Sequence, residues 1–334
     1  MRPRLVVSIG CPSGIGPEVS VVAAAGLRGA DALLVGDEGA IRRAAKARRV
    51  ADRRIVVVSE PRFVRGAVAL YQPGTSLASA ERVLGAPSRG SGAAQLSWID
   101  VATDLVRDGV GDALVTGPVS KEAIASSGAP SASTFRGHTE HLQERLRARE
   151  VVMAFAGERF ATSLATTHLA LADVPRLLDR PAVARATYWL GWLLHALGKR
   201  RPRIAVASLN PHAGEGGLLG TEEGRVIAPA MRAAVARWRR DRVGAVAVGP
   251  VPAETAYRLG ASGVYDGVVA MYHDQATIPM KLLSFGEAVN VSLGLPIVRT
   301  SVDHGTAYDR AKRFDADATG MVAAMQLAMR LVVH

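Results

Sequence analysis

Short apolar runs alternate along this chain with helix-patterned stretches, and that alternation constrains the fold more than any other feature. Strand-like runs occupy residues 4–9, 32–35, 55–58, 113–115, 151–155, 161–165, 204–208, 268–271 and 289–293. Residues 17–27, 96–107, 183–197, 222–239 and 316–333 read as helices, with Pro17 suited to a first helical turn. Apolar strands separated by helices are the pattern of an α/β fold on a largely parallel sheet, buried on both faces. We expect two lobes with a cleft between them, lobe one from residues 1–125 plus 295–334 and lobe two from 126–294. The small-residue stretch 74–92 is expected to cross the surface, and 126–133 to act as a hinge.

The charge balance raises one alternative. Lysine and arginine number 41 against 30 acidic residues, a net charge of +11, which first suggests a nucleic-acid partner. The basic residues are scattered over helix faces, however, and aromatics form only 5% of the chain without interleaving among them. That pattern fits a solvated surface, not a nucleic-acid-binding one. Only Lys46, Lys121, Lys199, Lys281 and Lys312 are lysines, so a lysine beside a motif marks a place for a compact point charge. Lys121 and Lys281 stand beside motifs. The single cysteine, Cys11, fits a reducing cytoplasm and reads as a small buried hydrophobe in a turn. The first apolar run is too short for a signal peptide, and no stretch reaches the length of a membrane span. A cytoplasmic protein without a membrane partner is expected.

Histidines carry the main chemical signal. His168, His212 and His273 each fall just past a strand-like run. Ligands of open α/β sheets bind beyond the carboxyl ends of strands, so the three imidazoles are placed to converge. Neutral imidazoles suit a divalent cation and leave positions open for substrate. For any one of them alone an ordinary loop histidine is the better reading. His141, His195 and His334 are read as structural or surface residues.

A second set suits an anion. Gly137-His-Thr-Glu140 opens a helix, whose free N–H groups and dipole favour phosphate. Lys281, Asn290 and Arg299 follow the His273 motif and add donors. Gly10, Gly14 and Gly16 make a strand–helix turn without dinucleotide spacing, and no Walker sequence is present.

Taken together, Gly10-Cys-Pro-Ser-Gly-Ile-Gly-Pro-Glu18, Thr116-Gly-Pro-Val-Ser-Lys121, Gly137-His-Thr-Glu140, Thr166-Thr-His168, Leu209-Asn-Pro-His-Ala-Gly-Glu-Gly-Gly217, Met271-Tyr-His-Asp-Gln275 and Arg299-Thr-Ser-Val-Asp-His-Gly-Thr-Ala307 span nearly the whole chain. In these motifs the chain resembles the 4-hydroxythreonine-4-phosphate dehydrogenase family of pyridoxal phosphate biosynthesis. The resemblance implies a fold like that of isocitrate and isopropylmalate dehydrogenases, which bind NAD without a Rossmann fingerprint. It implies one divalent metal ion (Zn, Mg or Co) on His168, His212 and His273, and substrate contacts from His138, Thr139, Lys281, Asn290 and Arg299. It further implies a homodimer with a shared active site, His273 coming from the partner chain, and a cofactor loop at His304, Gly305 and Thr306. Three departures stand out: Cys11 replaces a usual acidic residue, Glu254 a usual aspartate, and Tyr308-Asp-Arg-Ala-Lys-Arg313 a usual Leu-Asp-Ile-Ala-Gly start.

The function so implied is oxidation of 4-phosphonooxy-L-threonine by NAD, with decarboxylation to 3-amino-2-oxopropyl phosphate. Asp274 and Lys121 are the candidates for proton acceptor, Asp274 slightly ahead. A dehydrogenase of 4-phospho-D-threonate or D-erythronate in sugar-acid catabolism is the near alternative, and a nucleic-acid-binding protein the distant one.

Overall fold

Leu5, Val6 and Val7 have no exposed surface, as a strand covered on both faces requires. The strands are β1 (Arg4–Ser8), β2 (Asp31–Val35), β3 (Ile55–Val58), β4 (Val68–Tyr71), β5 (Ala113–Thr116), β6 (Val152–Ala156), β7 (Ala161–Leu164), β8 (Arg203–Ala207), β9 (Val246–Val251), β10 (Gly267–Ala270), β11 (Val289–Leu293) and β12 (Val298–Val302). All nine expected runs form strands, and β4, β9 and β12 are additional. This computed structural model describes residues 2–284 and 286–333, so His334 lies outside the described residues.

The chain divides into unit 1, Met1–Arg149 with Leu295–Val333, and unit 2, Glu150–Gly294. In unit 1 the strand order is β3-β4-β2-β1-β5-β12, every pair parallel. Helices Gly16–Gly26, Arg89–Arg107 and Thr319–Val332 pack on these strands and bury Val19, Ile99 and Met325 completely. Unit 2 runs β11-β6-β7-β10-β8-β9. There β6 is antiparallel to both neighbours, while β7, β10, β8 and β9 are mutually parallel. Its core gathers Phe155, Phe160, Leu164, Tyr257, Val268 and Met280.

Two expectations about segment boundaries change. Residues 126–149, expected in lobe two, belong to unit 1. The cause is polar: helix His138–Arg145 is tied to helix Arg89–Arg107 by His141 Nε2 on Asp100 Oδ1 (2.6 Å) and Arg145 Nη2 on Asp104 Oδ2 (2.5 Å). The 74–92 stretch is not all surface crossing, because helix Arg89–Arg107 starts inside it. Ser88 and Ser91 cap that start reciprocally, each hydroxyl accepting from the other's backbone N–H at 3.0 and 2.9 Å. No helix among the described residues is long and apolar enough to cross a membrane.

Candidate active site

In unit 2 the three histidines follow the carboxyl ends of three neighbouring parallel strands. β10 lies between β7 and β8, with Ala270 opposite Leu164 and Val269 opposite Val206. His168 follows β7, His273 follows β10 and opens helix His273–Leu283, and His212 follows β8. The rings of His168 and His273 stand 5.7 Å apart, centroid to centroid, at 40°. Here one chain brings His168 and His273 together, because their strands are hydrogen-bonded neighbours.

Buried hydrogen bonds join the three loops. Thr166 donates through its backbone N–H and its hydroxyl to the Met271 carbonyl, at 3.2 and 2.7 Å. Gln275 accepts from Met271 N–H at 2.6 Å, and its amide donates to the Ser208 carbonyl at 2.9 Å. Ser208 Oγ in turn donates to the Asn210 carbonyl at 2.8 Å. Asp274 Oδ1 lies 2.7 Å from His273 Nδ1. With the proton on Nδ1, that contact turns the lone pair of Nε2 outward, as ligating imidazoles require.

His212 is placed differently. It is exposed and sits in the turn Pro211–Gly217, where His212, Ala213, Gly214, Glu215 and Gly216 all adopt left-handed backbone angles, His212 at φ 52°. Such a conformation costs an L-residue roughly 1–2 kcal/mol, so other contacts must hold it. Among the described residues no group of three or more His, Cys, Asp or Glu side chains is arranged to hold a metal ion. The donor chemistry nonetheless fits a divalent cation: two adjacent imidazoles, one with a carboxylate on its far nitrogen, and a third on the neighbouring strand end.

Unit 1 carries three of the residues expected to contact an anion, His138, Thr139 and Arg299. Arg299 on β12 is 3% exposed. Its Nη2 donates to Thr116 Oγ1 at the end of β5 (2.7 Å). Burial pulls its pKa down to about 9, with the Glu140 carboxylate opposing that shift, so it remains a cation at neutral pH. His138 opens the helix His138–Arg145. Burial, then the positive charges of Arg299, His141 and Lys121, push its pKa well below the ordinary value. Among the described residues its buried Nε2 has no hydrogen-bond partner. A neutral imidazole with an unused nitrogen, beside a desolvated guanidinium and a helix start, suits a phosphate or carboxylate. Thr139 is buried on the same turn. Lys121 is exposed, and its ammonium lies 3.5 Å from where a Cβ on Gly137 would stand. Lys281 and Asn290 lie in unit 2, Lys281 exposed in the last turn of the His273 helix and Asn290 half-buried on β11.

The expected cofactor loop packs on the glycine-rich turn of unit 1. Ile15 N–H donates to the Thr306 carbonyl at 3.0 Å. Gly14 permits that approach, because a Cβ there would come within 2.6 Å of the same oxygen. His304 Nδ1 lies 3.0 Å from the Gly305 carbonyl. Two of the departures noted above meet here: Cys11 Sγ and Tyr308 Oη are 3.4 Å apart. Burial raises the Cys11 thiol and pushes Tyr308 up to about 12. Buried Glu18 accepts from Ala316 N–H (3.0 Å) and from Arg48, fastening the segment beyond this loop.

Sequence reasoning passed over Thr116, Thr166, Glu18, Gln275 and Glu223. Each acts largely on backbone groups or on another site side chain. Thr116, Thr166, Glu18 and Gln275 do fall inside motifs quoted above, which is their one visible signal, and Glu223 falls in none.

Residues 28–328 match the family model of the pyridoxal phosphate biosynthetic protein PdxA. A 4-hydroxythreonine-4-phosphate dehydrogenase of Geobacter metallireducens is 42% identical over 335 residues, covering 99% of this chain and 96% of that protein. The crystal structure of the Klebsiella pneumoniae enzyme of that name superposes with a TM-score of 0.82 at 33% identity, covering 100% of this chain and 99% of the other. A terephthalate 1,2-cis-dihydrodiol dehydrogenase from Burkholderia xenovorans LB400 gives 0.68 at 30% identity, with 98% of both chains covered. Matched by the family model over residues 28–328 and 42% identical to a relative along 99% of its length, this chain belongs to the PdxA family.

Proposed function

We propose that this chain is an NAD-dependent dehydrogenase that oxidises 4-phosphonooxy-L-threonine and releases carbon dioxide, giving 3-amino-2-oxopropyl phosphate for pyridoxal phosphate biosynthesis. The observation that carries the reading is the pairing of His168 and His273 at adjacent strand ends, 5.7 Å apart, in a chain of this family. His168 and His273, with His212 from the next strand end, would hold one divalent cation. Three imidazoles favour Zn or Co over Mg. When bound, such an ion acidifies a coordinated hydroxyl and stabilises negative charge on the neighbouring oxygen.

The chain's own residues do the rest. His138, Thr139 and Arg299 take the anionic end of the substrate, joined in the proposed shared site by Lys281 and Asn290. Arg299 is held by Thr116 before substrate arrives, so little ordering remains to be done on binding. His138 enters as a neutral imidazole and accepts or donates one hydrogen bond without adding charge. Of the two candidates for proton acceptor, Asp274 already touches an imidazole of the cation site, whereas Lys121 stands among the anion donors. His304, Gly305 and Thr306 form the loop that receives the nicotinamide cofactor.

A cytoplasmic homodimer with a shared active site completes the reading. Large exposed apolar residues crowd after each histidine: Leu169 and Leu171 after His168, Leu218 and Leu219 after His212, Ile278 and Leu282 after His273. Leu218 is 84% and Leu282 79% exposed. Apolar side chains so exposed around a site mark a surface covered by a partner.

The test is NADH formation by the purified chain with 4-phosphonooxy-L-threonine, 4-phospho-D-threonate and an unphosphorylated cis-dihydrodiol, each with and without chelator. Turnover is expected with the amino acid phosphate and is expected to vanish on chelation. Preference for the sugar-acid phosphate would move the chain to catabolism, and preference for the dihydrodiol would remove phosphate from the account.

A further inference from the structure

We infer that Glu223 is a positioning residue for His212, holding the left-handed turn that presents the imidazole. The inference rests on the proposed role of His212 as a cation ligand.

Glu223 is buried, 7% exposed, in a single π-turn (Glu223–Ile227) that precedes helix Ala228–Arg240. Its carboxylate points back at the strand-end loop. Oε1 accepts from Leu209 N–H at 2.9 Å and from Asn210 N–H at 2.8 Å, and Oε2 accepts from the Asn210 side-chain amide at 3.0 Å. Those groups immediately precede Pro211 and His212. Three donors on one buried carboxylate are enough to offset its desolvation and to fix the direction in which the chain enters the turn.

The surroundings are shaped to the same end. A Cβ on Gly214 would come within 2.8 Å of Glu223 Oε2, and one on Gly220 within 2.3 Å of Asn210 Nδ2. Both glycines let backbone close over the carboxylate–amide pair. The Asn210 amide also donates to Glu222 Oε2 at 2.7 Å, which fixes its orientation. Glutamine at 223 would therefore set an NH2 against an NH2, and Asn210 could not turn over without facing the Glu222 carboxylate with its oxygen. The network continues through Ser208 to Gln275, so the anchor of His212 is coupled to the loop of His273.

The experiment uses the metal-stripped full chain, with Co2+ as the probe. Wild type, Glu223→Gln, Glu223→Asp and His212→Ala are titrated with Co2+ by visible absorption. Hydrogen–deuterium exchange is followed in the metal-free proteins. The Gln variant is expected to weaken Co2+ binding about 10–100-fold and to raise exchange only across residues 208–220. Asp, which keeps the charge but withdraws the carboxylate by one methylene, is expected to fall between. Unchanged Co2+ affinity in the Gln variant, or exchange raised throughout unit 2, would overturn the inference, the second outcome showing a general structural role. If the Gln variant does not fold, the Asp variant is read by the same two criteria. Should wild type and His212→Ala bind Co2+ alike, the cation role of His212 fails. Glu223 is then judged by exchange alone, where a rise confined to the loop supports it and a unit-wide rise does not.

Discussion

Burial acts on His138 and Arg299 in the same direction with different results. Both groups lose preference for the charged form, but the imidazole starts near neutrality and becomes neutral, whereas the guanidinium at about 9 keeps its charge. The sign for stability follows from the depressed His138 value. Below its ordinary value of 6.5 the unfolded chain takes up a proton that the folded chain refuses. Stability present above pH 6.5 is therefore lost as pH falls, by up to about 1.4 kcal/mol per pH unit from this group. Urea midpoints between pH 7.5 and 5.5 should fall less steeply in His138→Gln than in wild type, and equal slopes would show that His138 is not the buried base described. Arg299→Lys keeps charge but loses the planar fork seated on Thr116. Its KM for the phosphorylated substrate should rise about tenfold or more with kcat little changed, and an unchanged KM would remove Arg299 from the anion site. His138, Arg299 and the strand-end histidines were legible in the sequence because each stands in a motif of distinctive composition. Thr116 and Gln275 stand in such motifs too, yet their roles were not legible, nor was that of Glu223, since the targets of all three are atoms brought near only by the folded chain.

Apolar content alone did not decide which strands were legible: β7 (Ala-Thr-Ser-Leu) and β11 (Val-Asn-Val-Ser-Leu) were expected although polar residues interrupt them, whereas the wholly apolar β4 (Val-Ala-Leu-Tyr) was not. β12 was missed because Val-Arg-Thr-Ser-Val looks like a polar loop, yet its Thr300 and Ser301 spend their hydroxyls on the Ala324 and Thr116 carbonyls inside unit 1. β9 contains Gly249 and Pro250 and lies at the edge of its sheet in unit 2, the place where proline is tolerated in a strand. Helix Arg89–Arg107 starts earlier than its apolar pattern because capping serines, not hydrophobicity, decide where it begins. The same reasoning yields a test of the cofactor loop. Gly14→Ala would set a Cβ 2.6 Å from the Thr306 carbonyl and force the 304–308 segment away from the glycine-rich turn. The KM for NAD should rise several-fold while that for substrate holds. A rise in both, or in neither, would separate this loop from cofactor binding.

At the scale of the whole molecule, the apolar side chains that follow the three histidines predict self-association. Leu282→Asp should reduce the sedimenting mass from dimer to monomer, whereas Val57→Asp, an exposed position on β3 of unit 1, should not. A Leu282→Asp protein that remains dimeric would place the interface elsewhere. In the proposed function, imidazoles delivered by the neighbouring strands β7, β10 and β8 would gather one divalent cation. Crystals of the chain grown with Zn2+, measured on both sides of the zinc absorption edge, test it most directly. One strong anomalous peak per site is expected within about 2.0–2.1 Å of His168, His273 and His212 nitrogens. A peak lying elsewhere, or none at these histidines under saturating zinc, would contradict it.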